Sequence, residues 1–257
     1  MQSRCKSLII FMVLIAIMLV VSTQHAYSSL TATQVVKKMD KLMRGKTSQS
    51  DSDMTVINPN WKRTISMKSW SKGTDYFFIH ITAPARESGT TFLKKNKLMY
   101  QWVPSAEMRI KITPSMMLQA WMGSDFTNDD LVKESSMVKD YTHKFLGKEK
   151  VDGVECYKIE CLPKPAAPVV WGKLILWIRE KNFVPARTNY YDEKGNHIKS
   201  LSFTNVKKVN DRMFPMTMTM IPLNKKGHKT IVNYNSIKFN VKLSPSVFTF
   251  KNLEKPR

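Results

Sequence analysis

Alternation of large apolar and polar side chains runs through most of this chain. Met216, Met218 and Met220 share one face of a predicted strand with Phe214, and threonines lie between them. The same period of two, bounded by Gly, Pro and Asn, recurs along the chain. It predicts strands at 53–57, 62–70, 75–82, 90–94, 97–103, 107–112, 140–148, 154–162, 173–179, 186–192, 197–206, 213–221, 229–239 and 247–250.

Tight turns such as 58–60, 151–153 and 225–227 join neighbouring strands, which predicts antiparallel pairing. Several strands have one apolar and one charged face, so we predict a mainly β (α+β) fold built on a single strongly curved antiparallel sheet. A sheet of about ten strands leaves more apolar face than the predicted helices can cover. Either the sheet curls tightly around them, or part of that face receives a ligand.

An amphipathic helix is predicted at the start of the globular region. Ser29 or Thr31 caps it, Gly45 ends it, and lysines lie opposite its apolar stripe. The stripe comprises Val35, Val36, Met39, Leu42 and Met43. We expect the helix to dock on the sheet; binding at a membrane interface is the alternative.

A helix, a break and a second helix are predicted between strands near the middle of the chain. Pro114 begins the first, whose stripe is Met116, Met117, Ala120 and Trp121, and Gly123 ends it. Ser124 or Asp125, then Thr127, caps a second turn over residues 128–130. Methionine adapts to variable apolar shapes, so this stripe fits either a ligand-binding lid or an ordinary core cap.

Residues 1–28 have the pattern of an export signal, with Arg4 and Lys6 before an apolar run. Cleavage is expected after Ser28 or Ala26; an uncleaved anchor is the alternative. Residues 29–257 contain no linker or repeat and are predicted to form one domain. The chain has a net charge of +21, and export argues against nucleic acid as its partner. The remaining explanations of the charge are anionic lipid headgroups, an acidic partner protein or general solvation.

Cys156 and Cys161 are predicted to lie on opposite faces of one strand, about 16 Å apart, too far for a disulfide unless the strand bulges. The sequence lacks the nucleophile elbow, the zinc-binding H-E-x-x-H motif, the P-loop, the dinucleotide fingerprint and C-x-x-C. The histidines are dispersed over separate strands or turns. We therefore expect no enzyme activity, no cofactor and no metal site.

The order of these elements resembles the LolA-like outer-membrane lipoprotein-sorting proteins. The most specific parts are Gly123-Ser124-Asp125-Phe126-Thr127-Asn128-Asp129-Asp130-Leu131, Gly89-Thr90-Thr91-Phe92-Leu93 and Tyr100-x-Trp102-x-Pro104; the hairpin 147–157 adds to them. The resemblance covers nearly the whole chain after the signal. It implies an incomplete β-barrel closed by a helical lid, and a monomeric periplasmic carrier that holds acyl chains.

The hypothesis is thus a carrier of lipid or lipoprotein acyl chains that receives cargo from an inner-membrane exporter or delivers it to an outer-membrane acceptor. Arg86 and Arg109 are the candidate lid contacts. The predicted cavity and lid residues are Trp102, Met116, Met117, Trp121, Met122, Phe126, Leu176, Ile178, Met216, Met218 and Met220. A sensor or adaptor of the same fold that binds a membrane protein is the alternative.

Overall fold

The computed structural model describes residues 30–96, 98–133, 137–165, 167 and 169–256, with 131–133 described by backbone alone. Residues 31–257 form a compact unit. The predicted export signal lies outside the described residues. Among the helices that are described, none has the length and apolarity needed to cross a bilayer.

One antiparallel sheet of thirteen strands forms the described part of the fold, in the order β6-β5-β4-β3-β2-β1-β13-β12-β11-β10-β9-β8-β7. The strands are β1 (Thr47–Ile57), β2 (Lys62–Lys72), β3 (Tyr76–Ala83), β4 (Thr91–Lys95), β5 (Leu98–Val103), β6 (Met108–Ile112), β7 (Tyr141–Val151), β8 (Val154–Pro163), β9 (Lys173–Arg179), β10 (Pro185–Tyr191), β11 (His197–Val209), β12 (Arg212–Pro222) and β13 (Lys229–Phe239). Because β6 and β7 are the two outer strands, the barrel is incomplete, and the predicted fold class is confirmed.

Every second side chain along each strand points to the inner, concave face of this sheet. Met54 and Ile65 are fully buried there, and Met67 packs with them. The sheet curls far enough that β2 and β11, which have three strands between them in the sheet order, line a common cavity. The core therefore lies inside the curve, as the one-sided pattern predicts.

The N-terminal helix α1 (Ala32–Arg44) is confirmed with its predicted ends. Thr31 accepts a hydrogen bond from the Gln34 amide, Gln34 reciprocates, and Gly45 closes the helix. Val35, Val36 and Met39 of its stripe are buried, Leu42 and Met43 are half-buried, and the helix contacts β7, β9 and β12. It docks on the sheet, as expected.

The predicted strand at 247–250 is wrong. The C-terminal segment forms a 3-10 turn (Pro245–Phe248) and a short helix, which we call α4 (Phe250–Glu254). Ser244 and Thr249 cap these two turns, which favours helical backbone over an extended strand. The segment packs on the outer face of β3–β5, where it buries Phe78 and Leu93.

Both described cysteines are buried and unbridged, as the predicted spacing requires. Cys156 packs with Ile175 and Trp177 on the outer face, whereas Cys161 pairs with His143 on β7. They behave as small core residues.

Candidate functional site

The central segment is a compact lid with less helix than the sequence predicts. The expected first helix is only a 3-10 turn at Pro114–Met116, followed by a second at Trp121–Gly123. The backbone instead folds back on itself: the Asn128 amide donates to the Gln119 carbonyl, and the Trp121 amide donates to the Phe126 carbonyl. These cross-connections replace the hydrogen bonds of a continuous helix.

The second helical element is present as predicted. We call it α2 (Asn128–Lys133), and a further short helix, α3 (Met137–Asp140), precedes β7. The Thr127 amide and hydroxyl both donate to the Asp130 carboxylate, while the Asp130 amide donates to the Thr127 hydroxyl. This reciprocal arrangement is a capping box, which fixes the start of α2.

Arg63 on β2 holds one end of the lid. Its guanidinium donates to the Met122 carbonyl at 2.5 Å and to the Glu87 carboxylate at 3.0 Å. Met122 has left-handed backbone angles (φ 50°), which orient its carbonyl toward the arginine. A single cation thus connects the lid, the β3–β4 loop and the sheet.

Two polar contacts hold the other end. The Thr230 hydroxyl on β13 donates to the Asp125 carboxylate at 2.7 Å and accepts from the Asp125 amide at 2.9 Å. The Lys199 ammonium on β11 pairs with the Asp130 carboxylate at 2.5 Å, and their side chains are only 4% and 8% exposed. Buried ion pairs are uncommon, because removing both charges from water is costly.

A cavity of about 160 Å³ lies between the lid and the concave face. Trp121 and Phe126 form its lid side, and Trp121 packs edge-on against Phe92 at a centroid distance of 5.3 Å. The sheet side is mostly apolar and includes Met54, Met67, Phe77, Ile79, Tyr190, Leu201, Met218 and Val232. Such a lining fits an apolar ligand.

Serines on β1 and β2 are the site residues that the sequence interpretation missed. Ser52 and Ser69 line the cavity, and Ser50 and Ser69 join their hydroxyls at 2.7 Å. A second cavity of about 100 Å³ continues past Phe77 and Met218 toward α1. The small serine side chains leave room for both cavities. Serine at every second position of 48–52 was the sequence pattern that could have indicated them.

Most of the predicted lid and cavity residues meet at this site. Trp121, Phe126 and Met218 line the cavity. Met116, Met117 and Met122 pack beside them on the core formed by β1–β6. Met220 is fully buried in the neighbouring cluster that contains Leu201 and Met218.

Four predicted cavity residues lie elsewhere. Trp102 packs on the outer face with the C-terminal segment, because Met99 and the alternate residues of β5 face the cavity side while Trp102 faces away from it. Its predicted position is therefore wrong. Leu176 and Ile178 share the concave parity but are completely buried on β9, which α1 contacts. Met216 lies on β12 between Pro215 and Thr217, which pair with Val206 and Thr204 on β11, and it is outside the cavity lining.

Neither arginine proposed as a lid contact has that role in the described structure. Arg109 pairs with Glu254 at 3.1 Å and lies over the Phe250 ring, so it holds α4 on the outer face. Arg86 is exposed in the β3–β4 loop, without a hydrogen bond to the described part of the lid. Arg63 makes the lid contact instead.

No cluster of three or more His, Cys, Asp or Glu side chains arranged to hold a metal ion occurs in the described residues. Asp130, which lines the cavity, forms an ion pair with Lys199. The arrangement suits enclosure and release of an apolar ligand.

Comparisons with known proteins agree with this geometry. A sequence family described as uncharacterised proteins matches residues 73–255. A DUF1329 family protein from Desulfovibrio piger is 24% identical, with a TM-score of 0.81, over 86% of this chain and 97% of that one. A Vibrio parahaemolyticus domain named for outer membrane lipoprotein sorting is 22% identical, with a TM-score of 0.78, over 87% and 98%.

A LolA superfamily protein from Nitrosomonas europaea is 23% identical, with a TM-score of 0.74, and the alignment covers 87% of this chain and 99% of that chain. No curated protein matches this chain. These likenesses show that the chain shares its fold with all three structures.

Proposed function

We propose that this chain, which belongs to the sequence family matched over residues 73–255, is a periplasmic carrier of lipid or of lipoprotein acyl chains. The fold that it shares with the lipoprotein-sorting and LolA superfamily structures supports this proposal. The observation that carries the proposal is the mostly apolar cavity under a lid that apolar packing and polar contacts from Arg63 and Lys199 hold closed. Each methylene moved from water into such a cavity contributes about 0.8 kcal/mol, which is sufficient to hold a chain during transfer.

The closed cavity is smaller than its proposed cargo. At about 160 Å³ it matches engineered apolar cavities of roughly 150 Å³ that admit a single benzene. A long acyl chain therefore requires the lid to move outward. The lid's polar contacts suit this motion, because Asp130, Lys199 and Arg63 regain hydration when they separate.

The cargo, the partners and the compartment are part of the proposal. The Vibrio domain, whose name refers to lipoprotein sorting, supports the cargo class. We propose that the carrier works as a monomer in the periplasm and delivers its cargo to an outer-membrane acceptor after collecting it at the inner membrane. The proposed carrier region is residues 29–257, and binding requires no catalytic step.

The test combines native mass spectrometry with a fluorescent acyl probe. Residues 29–257, which contain the whole compact unit, are purified from a cell envelope fraction, and bound molecules are extracted with solvent. We expect a co-purifying lipid or acylated peptide, and uptake of the probe by the emptied protein. Ser69→Phe places a ring inside the cavity and should reduce probe affinity at least about tenfold.

Thr64→Phe is the matched control, because Thr64 lies on the same strand but is exposed on the outer face. Its probe affinity should equal that of the parent. Circular dichroism establishes that both variants fold. A protein without bound lipid that also rejects the probe would refute the carrier function, and a salt-sensitive complex with a membrane protein would then support the adaptor alternative.

A further inference from the structure

Two neighbouring turns beside the lid form an exposed surface of unusual composition. The β1–β2 turn carries Trp61, which is 46% exposed, and the β12–β13 turn carries Leu223, which is 51% exposed. Lysines surround both. We call this surface the basic rim; its residues are Trp61, Lys62, Leu223, Lys225, Lys226 and Lys229.

The sheet register brings the two turns together. Ile57 at the end of β1 pairs with both Lys62 on β2 and Lys229 on β13. The turns touch, since a Cβ added to Gly227 would lie 3.0 Å from the Pro59 ring. The basic rim is therefore one continuous surface.

The first turn is rigid, and it presents Trp61 outward. The Asn58 side chain accepts hydrogen bonds from the amides of Asn60 and Trp61, each at 2.9 Å, and the Asn58 amide donates to the Trp61 carbonyl at 3.0 Å. The Trp61 ring lies 5.6 Å from the Arg63 guanidinium and is still 46% exposed, so together with Leu223 it presents an apolar patch to solvent.

The charge of the basic rim has one sign. Residues 57–62 and 221–229 contain no Asp or Glu. Within the described residues, the four rim lysines form no ion pair. Of the nearby carboxylates, Glu87 binds Arg63, Asp125 binds Thr230, and Asp192, which lines a groove with Lys225, accepts hydrogen bonds from Asn196.

We propose that the basic rim docks this protein on an anionic phospholipid bilayer. Tryptophan and leucine enter the headgroup region while lysines bind the surrounding phosphates. The lid reaches the same place: Leu118 is 60% exposed and faces Pro222, Asn224 and Lys225 across a surface groove. Docking here would turn the lid toward the membrane.

The charge test measures partition of residues 29–257 onto vesicles of phosphatidylglycerol and phosphatidylcholine. Lys225→Gln with Lys226→Gln should weaken binding about 30-fold at low salt. The control, Lys207→Gln with Lys208→Gln, removes an exposed lysine pair from the far end of β11, roughly 30 Å along the strands. That distance exceeds the Debye length of about 10 Å, so the control should lose less than about threefold.

The apolar test compares Leu223→Ser with Leu162→Ser, two leucines that are 51% and 44% exposed. Only the first should reduce vesicle binding, by about tenfold. Equal losses for the rim and control variants, equal binding to pure phosphatidylcholine, or binding to an acidic protein without binding to vesicles would each overturn the proposal. Uptake of the acyl probe in solution should stay unchanged in all four variants. A failure of the membrane-docking proposal can therefore be distinguished from a failure of the proposed ligand binding in the cavity.

Discussion

The buried ion pair between Asp130 and Lys199 provides a quantitative test of how the lid is closed. Asp130→Asn removes the charge but keeps an oxygen to accept from Thr127, so the capping box survives. Lys199 is then a buried ammonium without its carboxylate, 4% exposed beneath Trp171 and Tyr190. Leaving one member of a buried pair uncompensated costs about 3–5 kcal/mol.

That loss should lower the melting temperature by about 6–20 °C for a domain of this size. Adding Lys199→Met to Asp130→Asn removes both charges and should restore stability to within about 1 kcal/mol of the parent. The Lys148–Glu180 pair has a similar separation, 2.6 Å, but its side chains are 53% and 34% exposed. Glu180→Gln should therefore cost less than about 1 kcal/mol.

Urea unfolding of the parent, Asp130→Asn, Lys199→Met and the double variant, monitored by tryptophan fluorescence and circular dichroism, completes the double-mutant cycle, and Glu180→Gln is measured beside them. Hydrogen exchange of the lid amides separates lid opening from global unfolding. A cost below about 1 kcal/mol for Asp130→Asn, or no recovery in the double variant, would refute the reasoning that burial makes this pair decisive.

Three further predictions follow from single contacts. Arg63→Met removes the hydrogen bond to the Met122 carbonyl and should accelerate exchange of the lid amides about tenfold, while Arg86→Met leaves them unchanged. Burial lowers the pKa of His143 below 6.5, so its contribution to stability is complete above that pH and is lost as the pH falls; His143→Gln should show a smaller drop in melting temperature between neutral and mildly acidic pH. Burial raises the pKa of the Cys161 thiol to about 12, so a maleimide should leave it unmodified in the native protein and react after denaturation; native labelling would contradict its placement.

Local patterns in the sequence were sufficient to predict most of the helices and strands. The stripe of α1, its capping residues and the period-two strands each encode an element within a few residues, because the side-chain period reports which face is buried. The same period could not say which face of β5 lines the cavity. Trp102 shows this: its face is apolar because the C-terminal segment covers it.

The lid shows the same limit. Pro114, Gly123 and the Met/Trp stripe predicted helices, yet cross-connections such as Asn128 to Gln119 took the backbone hydrogen bonds. Arg63 was overlooked as the lid contact because 59 residues separate it from Met122, and no local pattern encodes such a partner.

The sequence by itself determined the class of fold, the antiparallel order of neighbouring strands and the region that becomes the lid, because these depend on interactions between residues close in the chain. Only the tertiary structure decided the enclosed volume, the Asp130–Lys199 pair and the basic rim. The volume and the ion pair depend on how strongly the sheet curls, whereas the basic rim depends on the pairing of β1 with β13; both bring together residues that are far apart in the sequence.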